Sequence, residues 1–423
     1  MKLELVTIGD ELLLGFTVDT NAAHLAREFA AAGIEIERRA TVGDGAAGIA
    51  AAVRDALDRT GAVITTGGLG PTSDDLTKPA IASIFGRAMC MDEAILDGLV
   101  RRWKARGWPG DLPVSNRQQA MIPEGATILA NRHGSAPGIW LEDDAGRWVA
   151  MLPGVPREMR GMLADELLPR LRSRITGTPL VIASFTLRTT GIAESAIADR
   201  FGPLASGLEG LSLAYLPGEE GVDLRLTARG LSAADAERAL RAGAARLRPL
   251  LGDHVYGADA TDLAAVVLQR LRDRRNTVAV AESCTGGLLG ARLTAVPGAS
   301  DVMLGGVIAY ANSVKEAHLG VRGETLRQHG AVSQETAREM ASGVRRRFNA
   351  DLGVSITGIA GPDGGTPGKP VGTVCCAVDI SGAVTSAQVS VTGDRQEIRS
   401  RSAQLALNLM RKALAETQTP ATT

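Results

Sequence analysis

The sequence predicts an α/β protein in which two three-layer α/β/α domains are joined by a small α+β domain. Three observations carry this. Strand-like and helix-like stretches alternate with short turns from Leu3 to Arg174, and again from Asp262 to Leu414, the pattern of a mostly parallel sheet covered by helices on both faces. Between them, from Pro179 to about Val255, the texture changes to short alternating strands and two helices. Finally, 423 residues exceed what one hydrophobic core sustains, and 50 glycines with only 3% aromatic residues suit tight turns and close backbone approaches.

The elements follow in order. Leu3 to Ile8 reads as a strand, Asn21 to Ala32 as a helix entered from Asp19-Thr20, Ile34 to Val42 as a strand, Ala46 to Arg59 as a helix and Ala62 to Thr66 as a strand. A helix near Asp92 to Arg106, a Gly/Pro-punctuated loop, a strand Trp148 to Leu152 and a helix from Arg157 to about Arg174 close the first domain. In the middle segment Ser184 to Thr189, Leu211 to Tyr215 and Val222 to Ala228 are strands, and Glu194 to Phe201 and Ala233 to Leu250 are helices. The last domain runs from a helix at Asp262 to Arg272 through strands at Thr277 to Ala281, Asp301 to Tyr310, Asp351 to Thr357 and Gly372 to Val378, and ends in a helix from Arg395 to about Leu414. The domains are expected at 1–171, 172–257 and 258–415, with 416–423 a disordered polar tail.

Composition excludes several classes. With 46 basic and 47 acidic residues the net charge is −1, so no global field draws in nucleic acid or an acidic membrane. No apolar run is long enough to span a bilayer, and Met1-Lys2-Leu3-Glu4-Leu5 enters a strand without the apolar region of a signal peptide. A cytoplasmic location is expected, and the four cysteines, which show no CxxC pair, fit reduced thiols there. Only six of the basic residues are lysine: Lys2, Lys78, Lys104, Lys315, Lys369 and Lys412. In a chain that prefers arginine, a lysine marks a place that needs a compact or deprotonatable ammonium; the competing reading is an ordinary surface lysine.

The densest chemistry is Ala281-Glu282-Ser283-Cys284-Thr285-Gly286-Gly287, at a strand-to-helix turn. Hydroxyls and a thiol there face unpaired amides that favour phosphate or an oxyanion, although Ser283 or Thr285 could simply cap the helix. Tyr310-Ala311-Asn312-Ser313-Val314-Lys315 and the loop Gly358 to Gly365, followed by Lys369, fall at other strand ends. A serine nucleophile needs a base, and with no histidine in these motifs Lys315, relayed or not by Tyr310, is the candidate. The alternative is Cys284 as nucleophile with His318 or His329 as base.

In this order the AESCTGG, YxNxxK and GxxGPxGG…KPVGTV blocks closely resemble the C-terminal domain of the CinA family, the nicotinamide mononucleotide deamidases, over Asp262 to Leu414. The resemblance implies hydrolysis of nicotinamide mononucleotide to nicotinate mononucleotide and ammonia without a cofactor. It makes Ser283 the nucleophile, Tyr310 and Lys315 its activating pair, and Arg399 an anion-binding residue. Thr357 and the Gly358, Gly361 and Gly364 loop are expected to hold the phosphate or ribose, with Cys284, Thr285, Gly286, Asn312 and Lys369 also against substrate.

The first domain carries a second set: Gly9-Asp10-Glu11 and Asp19-Thr20-Asn21 after the first strand, Gly43-Asp44 after the second, and Gly67-Gly68-Leu69-Gly70-Pro71-Thr72-Ser73-Asp74-Asp75 after the third. Glycines let backbone amides approach phosphate, and Asp44, Asp74 and Asp75 could hold a divalent metal bridging to it, although aspartate also favours caps and turns. With Asn131 to Gly138 and Leu152 to Pro156, the segment Met1 to Leu171 resembles the molybdopterin-binding fold and the N-terminal half of CinA proteins. That likeness implies an ADP-ribose pyrophosphatase dependent on a divalent metal such as Mg2+ and aided by K+. Asp44 and Asp75 match the acidic positions, and Gly67, Gly68 and Gly70 the phosphate loop.

The middle segment resembles the KH-like module of the same family; its Gly207-Leu208-Glu209-Gly210 is formally a GxxG loop, but Glu209 would repel a nucleic-acid backbone. The expected partners are therefore nicotinamide mononucleotide, ADP-ribose and a second copy of the chain, with neither membrane nor nucleic acid. The competing reading is an N-terminal module that binds a pterin or nucleotide without turnover, in a competence or DNA-damage accessory.

Overall fold

In a computed structural model residues 1–175, 180–206, 208 and 210–416 are described. The expected tail beyond Glu416, and Gly207 and Glu209 of the GxxG loop, lie outside the described residues; Glu416 itself is helical. The chain forms two compact units, Met1–Ala183 with Ala228–Ala239 and Ser184–Thr227 with Leu240–Thr423. No helix among the described residues is long and apolar enough to cross a membrane.

In the first unit β1 (Lys2–Ile8), β2 (Glu35–Val42) and β3 (Ala62–Thr66) join β6 (Thr127–Leu129), β7 (Gly138–Glu142) and β8 (Trp148–Leu152) in one sheet of order β2-β1-β3-β8-β7-β6. β4 (Met89–Met91) and β5 (Met121–Pro123) form a separate ribbon. The β2, β1, β3 and β8 strands are parallel, whereas β7 pairs antiparallel with β8 and β6 pairs antiparallel with β7. Alternation along β1 sorts its side chains. Leu3 and Leu5 pack with Leu25 and Phe29 of α2 (Thr20–Ala31), while Val6 and Ile8 pack with Ile49 and Val53 of α3 (Ala46–Thr60). A short α1 (Asp10–Leu13), α4 (Thr77–Ile84) and α5 (Glu93–Ala105) complete this region. The helix expected over 157–174 is α6 (Pro156–Met162) and α7 (Leu168–Arg174) with a π turn, Leu163–Leu167, between them. Pro169 explains the break, since it cannot donate to the carbonyl four residues back and its ring crowds that carbonyl.

The KH-like segment places β9 (Val181–Thr189), β10 (Leu211–Gly218), β11 (Gly221–Leu231) and β12 (Val255–Ala258) in a sheet of order β10-β11-β9-β12, with α8 (Glu194–Phe201) and α9 (Ala233–Leu251).

In the last segment β13 (Val278–Glu282), β14 (Met303–Ile308), β15 (Leu352–Gly358), β16 (Thr373–Ile380) and β17 (Ala383–Ser390) order as β14-β13-β15-β16-β17. The first three are parallel, β16 pairs antiparallel with β15, and β17 pairs antiparallel with β16. Val278 and Val280 face α10 (Leu263–Asp273), α11 (Leu288–Thr294) and α15 (Arg395–Glu416). Ala279 and Ala281 face α12 (Asn312–Leu319) and α14 (Gln334–Phe348), with α13 (Gly323–His329) between those two in sequence.

Both sheets share one property that decides where ligands can bind. The chain leaves β1 for β2 on one side and β3 on the other; it leaves β13 for β14 and β15 in the same way. Each pair of diverging loops opens a crevice at the carboxyl edge. The glycine-rich turn after β3 and the Ser283 turn after β13 sit at these two crevices.

Candidate active sites

β13 is wholly buried, and its register with β14 and β15 brings Glu282 beside Ile308 and Ile356. The next residue, Ser283, donates its backbone N–H to Ile356 O at 2.9 Å, which fixes the turn against β15. Lys315, on the first turns of α12, is 1% exposed. Its Nζ lies 3.1 Å from Ser283 Oγ, 2.8 Å from Ala309 O and 3.1 Å from Tyr310 O. Burial pulls the Lys315 ammonium below the ordinary lysine range. A serine hydroxyl and a desolvated amine in hydrogen-bond contact have the chemistry that a nucleophile and its base require, without a histidine.

These two residues line a cavity of about 270 Å³ with Cys284, Tyr310, Asn312, Thr357, the Gly358, Gly361 and Gly364 loop, Asp363 and Arg395. Burial pushes the Cys284 thiol up to about 11, so it is protonated at neutral pH. Neither His318 nor His329 lines the cavity; His329 instead lies 3.8 Å from Glu335. Gly358 has no room for a side chain, because a Cβ there would come within 2.9 Å of Thr373 O and 3.1 Å of Cys284 Sγ.

Several expected residues take other places. The Tyr310 phenol accepts from Arg395 Nη2 at 3.2 Å, and it is the Tyr310 carbonyl that meets Lys315. Thr285, Gly286, Lys369 and Arg399 do not line the cavity. Arg399 Nη2 donates to Thr285 O at 2.8 Å, and Lys369 Nζ donates to His329 O at 2.6 Å. Arg395, one helical turn before Arg399, occupies the cavity wall and also donates to Gly361 O at 2.5 Å. Sequence reading missed it because two arginines at i and i+4 share a helix face, and only packing shows which turn meets the site.

In the first unit the crevice between the loops after β1 and β3 is a cleft of about 500 Å³. Gly67, Gly68 and Gly70 line it, as do the carboxylates of Glu11, Asp19, Asp44, Asp74, Asp75 and Glu158, with no lysine or arginine among the lining residues. Gly67 is obligatory: its φ is +109°, and a Cβ would sit 2.1 Å from Ile8 O. The Gly67 and Gly70 amides are already used, donating to Leu152 O at 3.1 Å and Asp75 Oδ1 at 2.7 Å. Asp75 also accepts from the Thr72 amide at 2.8 Å and hydroxyl at 2.5 Å, so both its oxygens hold the turn. Asp44 accepts from the Asp10 amide at 3.0 Å. Among the described residues no group of three His, Cys, Asp or Glu side chains could hold a metal ion. Asp44 and Asp75 thus share a cleft without forming a metal cage.

Two further lining residues add acceptors. Asn21 donates through Nδ2 to Gly154 O at 2.7 Å and Thr66 Oγ1 at 3.3 Å, which leaves its Oδ1 buried and unpartnered. Gln119 Oε1 is likewise buried without a partner. Behind the cleft, Lys78 donates to Gln118 O; burial lowers its pKa to about 8, partly offset by Asp75.

A chain with a serine–lysine contact at the carboxyl edge of one sheet and an acidic, glycine-lined cleft at the edge of another belongs to the class of multidomain α/β proteins with crevices at strand-order switch points. Three family models match it in series: a probable molybdopterin binding domain over residues 4–173, the damage-inducible protein CinA KH domain over 184–257 and the CinA C-terminal domain over 260–414. A CinA-like protein of Gemmatimonas aurantiaca is 65% identical over 415 residues, covering 98% of this chain and 97% of its own. Another CinA-like protein, from Desulfovibrio desulfuricans, is 43% identical over 420 residues, covering 98% and 96%. Among solved structures, the competence/damage inducible protein CihA from Agrobacterium tumefaciens is 40% identical over 36% of this chain and 93% of its own, with a TM-score of 0.35. The chain belongs to the CinA family.

Proposed function

We propose that the cavity after β13 hydrolyses the carboxamide of nicotinamide mononucleotide. The observation that carries this reading is the 3.1 Å contact between Ser283 Oγ and the buried Lys315 Nζ. In its neutral form Lys315 accepts the hydroxyl proton as Ser283 Oγ bonds to the carboxamide carbon. The backbone amides of Cys284 and Thr285, which face the Cys284 thiol, would turn to the oxyanion as donors. The ammonium of Lys315 then returns the proton to the leaving nitrogen, the C–N bond breaks, and ammonia departs from an acyl-serine. Water, deprotonated by the same amine, attacks the acyl carbon; nicotinate mononucleotide leaves as Ser283 regains its proton. Arg395, pinned between Tyr310 and Gly361, supplies the positive charge for the phosphate. Ammonia release by wild type, Ser283→Ala and Cys284→Ala tests this: loss in the serine variant alone supports the reading, and loss in the cysteine variant alone transfers the nucleophile to Cys284.

For the N-terminal cleft we propose ADP-ribose pyrophosphate hydrolysis to AMP and ribose 5-phosphate, with a divalent cation that arrives with its substrate. The six lining carboxylates and the lack of a lining lysine or arginine support this, because a bare pyrophosphate would be repelled. Mg2+ binds through one or two carboxylates plus phosphate oxygens rather than in an all-protein cage. Asp44, with one carboxylate oxygen uncommitted, and Asp74 would hold it from the protein side, and the metal would supply charge neutralisation. AMP release by the full chain with and without Mg2+ separates turnover from simple binding.

A further inference from the structure

The Glu282 side chain stands apart from the acid and base chemistry assigned above, yet it is 1% exposed and immediately precedes the nucleophile. Its carboxylate turns to the start of α11, whereas the Ser283 hydroxyl meets Lys315 of α12. The carboxylate accepts from the amides of Gly287 at 3.0 Å, Leu289 at 3.1 Å and Gly290 at 2.8 Å. The remaining amide of that turn, Leu288 N–H, points to Thr285 O at 3.3 Å. The first-turn donors of α11 are therefore committed inside the protein, and the helix terminus that the sequence offers for phosphate is closed. The main chain of Glu282 is a second brace: its carbonyl accepts from Ala309 N–H at 2.6 Å, and the Ala309 carbonyl in turn accepts from Lys315 Nζ at 2.8 Å. One residue thus ties together the helix after the nucleophile and the segment that holds the base.

We propose that Glu282 is a positioning residue for the Ser283–Lys315 pair: its carboxylate, not a substrate anion, occupies the N-terminus of α11 and fixes the serine turn. This rests on the amidase reading of the cavity. A helix terminus filled by a side chain holds the turn before substrate arrives, and it obliges the substrate phosphate to bind elsewhere, on the Arg395 side. Removing the cap frees the turn, and displacement of a nucleophile by about 1 Å can cost on the order of a hundredfold in rate.

The test uses the full-length wild type and Glu282→Gln, whose amide group would present N–H to an N–H donor. Three readouts are taken: the rate at which a fluorophosphonate labels Ser283, which needs no knowledge of the substrate; kcat and KM for ammonia release from nicotinamide mononucleotide; and amide hydrogen exchange at Gly287, Leu289 and Gly290. The expected result is a folded variant with labelling and kcat each lowered at least about tenfold, KM nearly unchanged, and faster exchange at the three amides. Wild-type labelling and kcat in Glu282→Gln, or a rise in KM alone, would overturn the proposal. If the variant does not fold, wild-type exchange at these amides with saturating inorganic phosphate, and then nicotinamide mononucleotide, decides. Unchanged exchange supports the internal cap, and ligand-induced protection there overturns it. A wild type that labels at Ser283 but releases no ammonia removes the deamidase reading and leaves the positioning test intact.

Discussion

Two buried lysines show how one residue type is turned to different uses by its neighbours. Lys315 touches the Ser283 hydroxyl, and burial lowers its pKa, so the fraction of neutral amine grows as pH rises. If that amine is the base, kcat/KM for deamidation climbs with pH and levels off at an ionisation below 10.5, the ordinary lysine value. Lys315→Arg keeps the charge but cannot accept a proton; a loss of about 10²–10⁴-fold is expected, and near-wild-type ammonia release would exclude Lys315 as base. Lys78 donates to the Gln118 carbonyl, and burial lowers it from 10.5 to about 8. Between those two values the unfolded chain holds a proton that the folded chain lacks, so stability rises with pH across that window. The charged form is disfavoured by roughly 3 kcal/mol in the folded state, against about 1 kcal/mol from its hydrogen bond. Lys78→Met is therefore expected to be about 1–2 kcal/mol more stable than wild type at pH 7, with the order reversing above pH 10. Urea unfolding at several pH values checks this; parallel pH dependences would refute the assignment.

At the scale of elements, legibility followed burial. β3 and β8, Ala62–Thr66 and Trp148–Leu152, are buried at every position, and both are readable, β8 from a continuous apolar run and β3 from an apolar run that ends in two β-branched threonines. β17 went unread because Ala383–Ser390 lies at the sheet edge with mostly exposed, weakly alternating side chains. β7 went unread for another reason: Gly138–Glu142 follows a glycine- and proline-rich loop that masks its start. The turn after β13 was legible as a reactive segment, since a serine at a strand-to-helix junction has a local signature. The carboxylate that caps α11 did not, because Glu282 bonds amides five to eight residues ahead and only the fold fixes that loop. Close packing gives this turn its own prediction. A Cβ at Gly358, at the end of β15, would press on Thr373 O and Cys284 Sγ, so Gly358→Ala should cost about 1–3 kcal/mol and slow Ser283 labelling. A variant with unchanged melting temperature and labelling would show that the β15 end can move away from the serine turn.

Across the whole molecule, the same topological device is used twice with opposite electrostatics. Each sheet reverses strand order beside its first strand, and each crevice collects its side chains from the loops on either side. In the C-terminal cavity Arg395 supplies a fixed positive charge, beside the single lining carboxylate of Asp363, so the proposed phosphorylated substrate meets a cation that belongs to the protein. In the N-terminal cleft the lining charges are all carboxylates, so a pyrophosphate needs an added cation. A chelator should therefore separate the two proposed activities. EDTA is expected to abolish AMP release from ADP-ribose by the full chain, with recovery on adding Mg2+, while ammonia release from nicotinamide mononucleotide continues unchanged. Ser283→Ala should give the reverse pattern, and Asp44→Asn should lower AMP release by at least about tenfold without affecting ammonia release. Each set of reacting groups lies within one compact unit, which is why the effects should not cross. Loss of ammonia release in EDTA would mean that the serine–lysine pair is not sufficient by itself. AMP release that survives EDTA would mean that the acidic cleft meets its substrate without a divalent ion.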